Sequence, residues 1–118
     1  MKYNGIYCII VTFFPKIEKL KQVIQSITVN GCQIIIIDNT DKKTEFKDLP
    51  RHHAIHLEKN LGISCAQNLG IRLALEKGAR YIWLSDQDTV YPVDFLKKML
   101  SAAASCDAQG INFGALAP

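Results

Sequence analysis

Residues Gly5 to Phe14 form a β-branched and aromatic run with almost no polar interruption. A strand with one wet face alternates apolar and polar residues, so this run predicts a strand covered on both faces, as in a parallel sheet. Pro15 stops it. From Lys16 the period changes. Ile17, Leu20, Ile24 and Ile27 fall on one stripe, with Lys16, Glu18, Lys19, Lys21 and Gln22 largely off it, which is the pattern of an amphipathic helix. Asn30-Gly31 supplies a left-handed stop, and Cys32 to Ile37 opens a second buried strand that breaks at Asp38-Asn39-Thr40-Asp41. The first unit is β-α-β.

The pattern then repeats with weaker signals. Asp41 to Pro50 is polar and lysine-rich and reads as loop with one helical turn, and His53 to Leu57 as a short strand. Gly62 to Lys77 puts Ile63, Ala66, Gly70, Leu73 and Ala74 on one helical face, and Ser64 to Gln67 has the capping-box spacing. Gly78 ends that helix, and Arg80 to Ser85 forms the next strand. Pro92 starts a helix with the stripe Val93, Leu96, Leu100 and Ala103, and Asn112 to Ala117 reads as one more strand. Strands alternating with helices predict an α/β fold, a mostly parallel sheet with helices on both faces. Such sheets bind ligands outside the carboxyl ends of their strands. Three polar clusters fall there: Thr12-Phe13-Phe14, Asp38-Asn39-Thr40 and Ser85-Asp86-Gln87-Asp88.

With 118 residues and about half of them apolar, the chain has the length for a single soluble core. Its apolar runs are far shorter than the roughly 20 residues of a membrane-spanning helix. The opening Met1 to Gly5 lacks the pattern of a signal peptide, which makes the cytoplasm the expected location. Cys8, Cys32, Cys65 and Cys106 are scattered without metal-ligand spacing and read as small buried reduced thiols. The net charge of +3 is spread thinly, and Lys16, Lys19 and Lys21 read as the wet face of a helix. Nucleic acid is therefore not an expected partner. His52, His53 and His56 have no acidic partner at ligand spacing.

Asp86-Gln87-Asp88 carries the clearest chemistry. Two carboxylates one residue apart at a strand's mouth can share a hard cation and a diphosphate, and oxygen ligands with vacant positions suit Mg²⁺ or Mn²⁺. Asp also favours such turns for itself, accepting backbone N–H bonds. The triplet alone leaves both readings open.

Four segments in order carry a resemblance: Ile10 to Pro15, Ile37 to Thr40, Asn60 to Gly70, and Leu84 to Asp88. Together they resemble the inverting family 2 glycosyltransferases of GT-A fold, especially rhamnosyltransferase-like bacterial members. The resemblance covers nearly the whole chain. It implies that residues 1–118 are the nucleotide-sugar-binding portion of a GT-A domain truncated at its C-terminus, with the catalytic general base beyond Pro118.

The resemblance also assigns roles. Asp88 would bind the metal, Mn²⁺ or Mg²⁺, that bridges the diphosphate, and Asp86 would face the ribose or support the metal through water. Thr12 and Phe14 would meet the nucleobase, and strand alternation independently sends Phe13 and Phe14 to opposite faces, one to the core and the other to ligand. Asp38 and Asn39 stand where the family reads the base, Asn39 taking the place of the usual carboxylate, and Asp38 could equally cap the turn. Asn60 and Gly62 would lie beneath the nucleotide, with Asn68 tying loops together. Trp83 reads as core and Tyr91 as packing. The implied reaction moves a sugar, with rhamnose suggested, from a nucleoside-diphosphate donor to a polysaccharide or lipid-linked acceptor at the inner face of the membrane. A nucleotidyltransferase-like enzyme and a non-catalytic nucleotide-binding module are the competing readings. The first lacks its usual Gly-rich basic loop here, and no P-loop occurs.

Overall fold

Four parallel strands and three helices make up the described residues, which in this computed structural model are 3–42, 46 and 53–118. In chain order they are β1 (Ile6–Thr12), α1 (Ile17–Val29), β2 (Gln33–Asp38), β3 (His53–His56), α2 (Ile63–Glu76), β4 (Tyr81–Ser85) and α3 (Phe95–Ala108). The sheet order is β3-β2-β1-β4. Ile10 of β1 pairs with Ile36 of β2 on one side and with Ser85 of β4 on the other.

The pleat sends alternate residues to opposite faces, and here both faces are covered. Ile6, Cys8 and Ile10 of β1 join Ile34 and Ile36 of β2 in a cluster with Leu20, Val23, Ile24 and Ile27 of α1 and Leu96 of α3. Tyr7, Ile9, Ile35 and Ile37 form the other cluster, with Ala66 and Ala74 of α2. The absence of polar alternation in β1 and β2 follows from this double cover.

Gly70 lies where α2 crosses β1. A Cβ there would stand 2.5 Å from Ile9 Cγ2 and 3.4 Å from Ile37 Cγ1, so glycine lets the helix settle onto a β-branched floor. Asn30-Gly31 stops α1 as expected, with Asn30 as the C-cap residue and Gly31 in the left-handed conformation. Asn30 also reaches across the chain. Its Nδ2 donates to the carbonyls of Ser26 and Pro92, both at 2.9 Å, and its Oδ1 accepts the Leu96 N–H at 2.9 Å. One side chain thereby ties the end of α1 to the start of α3.

Several expectations need correction. Residues 112–117 form no strand. The stretch from Phe113 to Leu116 instead lines an apolar groove with Tyr81, Trp83, Phe95 and Leu100. The Ser64 capping box is absent, because α2 begins after Gly62, whose φ of 83° sets the entry of the chain. Pro92 precedes a turn and α3 starts only at Phe95, leaving Val93 76% exposed. Cys8 and Cys32 are buried, whereas Cys65 is exposed and Cys106 half-buried. Burial, followed by the neighbouring Cys32 thiol, holds the Cys8 thiol well above its ordinary pKa, so it stays protonated. Trp83 is half-buried rather than fully enclosed, packing edge-on to Tyr91 at 4.5 Å. The expected loop turn within 41–50 lies largely outside the described residues, as does His52. No helix among the described residues is long and apolar enough to cross a membrane.

Gly70→Ala gains about 1 kcal/mol of helix propensity but forces a methyl group into Ile9, and overpacking costs about 1–3 kcal/mol. The net effect is a Tm lower by a few degrees in thermal unfolding, with Gly70→Val lower still. A Tm raised by Gly70→Ala would contradict this packing.

Candidate functional site

The strand order reverses direction at β1. The first connections step from β1 to β2 to β3, and the chain then returns to place β4 on the other side of β1. This reversal of strand order is where open parallel sheets bind ligands, and here both loops lead to helices on one face of the sheet, α1 and α3. The loops that meet there are Phe13-Phe14 after β1 and Asp86 to Thr89 after β4.

Beneath these loops lies a buried polar floor. Thr12 and Asp38 have no exposed surface. The Thr12 hydroxyl donates to Asp38 Oδ1 at 2.9 Å. The same oxygen accepts the Thr40 hydroxyl at 2.7 Å and the Thr40 N–H at 3.2 Å. Asp38 Oδ2 lies 3.1 Å from His56 Nδ1. This carboxylate joins the carboxyl ends of β1, β2 and β3. A buried carboxylate is tolerated when its oxygens are saturated in this way. Asn39, also buried, ties the next layer: its Nδ2 donates to the Gly62 carbonyl at 3.0 Å and its Oδ1 accepts the Leu61 N–H at 3.3 Å. Asn60 Oδ1 accepts the Gly62 N–H at 2.9 Å. Asn39 and Asn60 thus hold the start of α2 against the end of β2. A Cβ on Gly62 would meet nothing within 4 Å, so its glycine serves the positive φ.

The accessible groups lie above this floor. Phe13 and Phe14 are 45% and 50% exposed and pack edge-to-face at 4.8 Å, so neither is the core residue that strand alternation predicted. Alternation fails because β1 ends at Thr12 and Phe14 turns to φ 43°, a conformation few non-glycine residues adopt. The Phe14 N–H donates to Thr40 Oγ1 at 2.9 Å, which fixes that turn to the floor. Asn68 is exposed on α2 and makes no side-chain hydrogen bond with the described residues, so the expected loop tie is absent. Tyr91 packs as expected, its hydroxyl donating to Ser85 Oγ at 2.9 Å.

The two carboxylates of the acidic loop differ in environment. Asp86 Oδ1 accepts the N–H groups of Asp88 and Thr89, both at 2.9 Å, and the Thr89 hydroxyl at 2.8 Å. The Asp88 N–H holds the Asp86 carboxyl below its ordinary pKa; partial burial pulls the other way, and Thr89 adds to the lowering. A lowered folded pKa means that this turn's contribution to stability is full above the ordinary Asp value of about 3.9. It is lost as pH falls through the folded value. Asp88 is exposed, and its side chain has no hydrogen bond or ion pair with the described residues. One carboxylate therefore shapes the loop and the other is offered to solvent. No group of three or more His, Cys, Asp or Glu among the described residues could hold a metal by itself. A pair of carboxylates of which one is unengaged still fits a cation that takes most ligands from phosphate and water.

Gln87, between them, reaches β1's loop. Its Oε1 accepts the Phe13 N–H at 2.9 Å and its Nε2 donates to the Phe13 carbonyl at 3.2 Å. The groove lined by Tyr81, Trp83 and Phe113 runs along β4 and includes none of Thr12, Asp38, Asn39, Asp86 or Asp88.

Asp38→Ala leaves the Thr12 and Thr40 hydroxyls and His56 without their buried acceptor. Such a loss costs about 3 kcal/mol, measurable as a lower denaturant midpoint; a shift below about 0.5 kcal/mol would contradict the role of this carboxylate as the floor's hub.

Comparison with known proteins gives the family. Residues 8–114 match the family described as "Glycosyl transferase family 2". A relative from Shigella flexneri, described as "dTDP-rhamnosyl transferase RfbF", is 37% identical over 99 residues, covering 81% of this chain and 33% of the relative. The chain spans about a third of the length of that relative. The four-stranded parallel sheet with helices on both faces is the α/β architecture of a GT-A fold. The chain belongs to glycosyl transferase family 2.

Proposed function

We propose that this chain is the donor-binding part of an inverting glycosyltransferase that takes a nucleoside-diphosphate sugar and uses Mn²⁺ or Mg²⁺. The observation that carries this reading is Asp88: an exposed carboxylate, unengaged by the described residues, on the loop that Gln87 joins to the exposed Phe13-Phe14 pair. The S. flexneri relative is named for transfer from a dTDP sugar, and we take dTDP-rhamnose as the donor and a polysaccharide or lipid-linked saccharide as the acceptor. The reaction takes place on the cytoplasmic side, at the inner membrane face where such an acceptor is anchored.

Each group has a task in this reading. Phe14, with Phe13 against it, offers a ring face on which a pyrimidine stacks. Thr12, Asp38 and Asn39 act from below, holding the loops that touch the nucleotide. Gly62 leaves space over the start of α2, where free N–H groups favour an anion. Asp88 would hold the cation, and Asp86, with Oδ1 committed to the turn, has Oδ2 for the ribose or a metal-bound water. When bound, the cation supplies Lewis-acid stabilisation of the leaving diphosphate. The acceptor hydroxyl oxygen bonds to the anomeric carbon as the bond to the diphosphate breaks. Its proton passes to a carboxylate base outside residues 1–118.

The test is thermal unfolding with dTDP, UDP or GDP, with and without Mn²⁺. Binding to the folded state adds about 2.7 kcal/mol of apparent stability at a hundred times Kd. The expected result is stabilisation by dTDP that requires Mn²⁺ and disappears in Asp88→Asn. Equal Mn²⁺-dependent stabilisation of that variant would overturn the assignment of Asp88, and stabilisation by UDP or GDP in preference to dTDP would overturn the choice of base.

A further inference from the structure

We infer that Gln87 is a positioning residue that couples the two ends of the donor site, holding the aromatic loop and the acidic loop at one fixed separation. This inference rests on the donor-binding reading above.

The pairing of β4 with β1 ends at Ser85 opposite Ile10. Beyond it the ladder supplies no bond to hold the two loops together, which leaves a gap in the pairing. The Gln87 side chain closes that gap. Its amide offers one acceptor and one donor on the same edge, matching the N–H and C=O of Phe13, and so reproduces a ladder step two residues after the strand has ended. Phe13 in turn packs on Phe14, and Phe14 N–H is held by Thr40. An unbroken path therefore runs from the residue between the two carboxylates to the ring that faces the base, and from there to the buried Asp38. Neither bond contributes much to the stability of the fold, because both are on the surface. Their consequence is geometric. A nucleoside diphosphate must span ring and cation together, and binding at two linked points gains only when their spacing is preset.

Glutamine is the residue that this task selects. Glutamate would keep an acceptor for the Phe13 N–H but turn a second oxygen against the Phe13 carbonyl, next to two further carboxylates. Asparagine would be one methylene short.

Affinities of the full chain for dTMP and for dTDP with Mn²⁺ would be measured by calorimetry in the wild type, Gln87→Ala and Gln87→Glu, with thermal unfolding as a check on the fold. The ratio of the two dissociation constants measures the advantage of engaging both ends. It is expected to fall about tenfold in both variants while dTMP affinity changes less than threefold and Tm by only a few degrees. An unchanged ratio in Gln87→Ala would overturn the coupling and leave the donor-site reading standing. A wild type with no Mn²⁺-dependent gain for dTDP would overturn that reading and the coupling with it. A loss of dTMP affinity equal to that of dTDP would show a merely structural role and also overturn the coupling.

Discussion

Parallel pairing of β1 with a neighbour on each side is the constraint from which the rest of the structure follows. Because β2 and β4 run in the same direction as β1, all three release their chains at one edge of the sheet. Because they lie on opposite sides of β1, the connection from β1 to β2 passes over one face with α1 and the connection from β3 to β4 over the other with α2. The loops after β1 and β4 are then adjacent without being consecutive. Segments more than 70 residues apart, Phe13 and Gln87, come within hydrogen-bonding distance for this reason.

The polar residues at that edge divide by depth. Thr12, Asp38, Asn39 and Thr40 are buried and bonded to one another or to the main chain of the α2 start. They define where the loops sit. Phe13, Phe14, Asp86 and Asp88 are exposed on those loops and define what the loops can meet. Removing a floor residue damages stability, because a buried group loses its partner; removing an exposed one leaves the fold nearly untouched. The two layers are physically distinct even where their residues are neighbours in sequence, as Thr12 and Phe13 are.

The order of strands and helices was legible in the sequence because each element carries its own period. Uninterrupted β-branched runs mark the doubly covered strands, and the stripe of Leu20, Ile24 and Ile27 marks α1, whose buried face matches it. The resemblance pointed to four segments, and hydrogen bonds join them in the structure: Thr12 to Asp38, Asn39 to Gly62, and Phe13 to Gln87. What stayed hidden depends on tertiary polar contacts, which have no local signal. Asn30 reads as a helix stop, yet binds Pro92 and Leu96. Gln87 reads as a spacer between two acids, yet clamps Phe13. Alternation misplaced the Phe13-Phe14 pair because β1 ends at Thr12 and the chain turns to a positive φ at Phe14. The tail from Asn112 has a strand's composition but forms no strand, and its residues from Phe113 line a groove shared with β4.

The central claim is that a cation at Asp88 and a nucleotide against Phe14 occupy the same edge of the sheet. β1 has seven residues, so the opposite edge lies about 20 Å away, far enough for a paramagnetic ion to distinguish the two ends. Amide resonances followed by NMR while Mn²⁺ is added in the presence of dTDP test the claim most directly. The account predicts selective broadening of Phe13, Phe14, Gln87 and Asp88, with Gly5, Gly31 and Ala79 unaffected. Broadening centred on the opposite edge, or a spectrum that does not change, would contradict it.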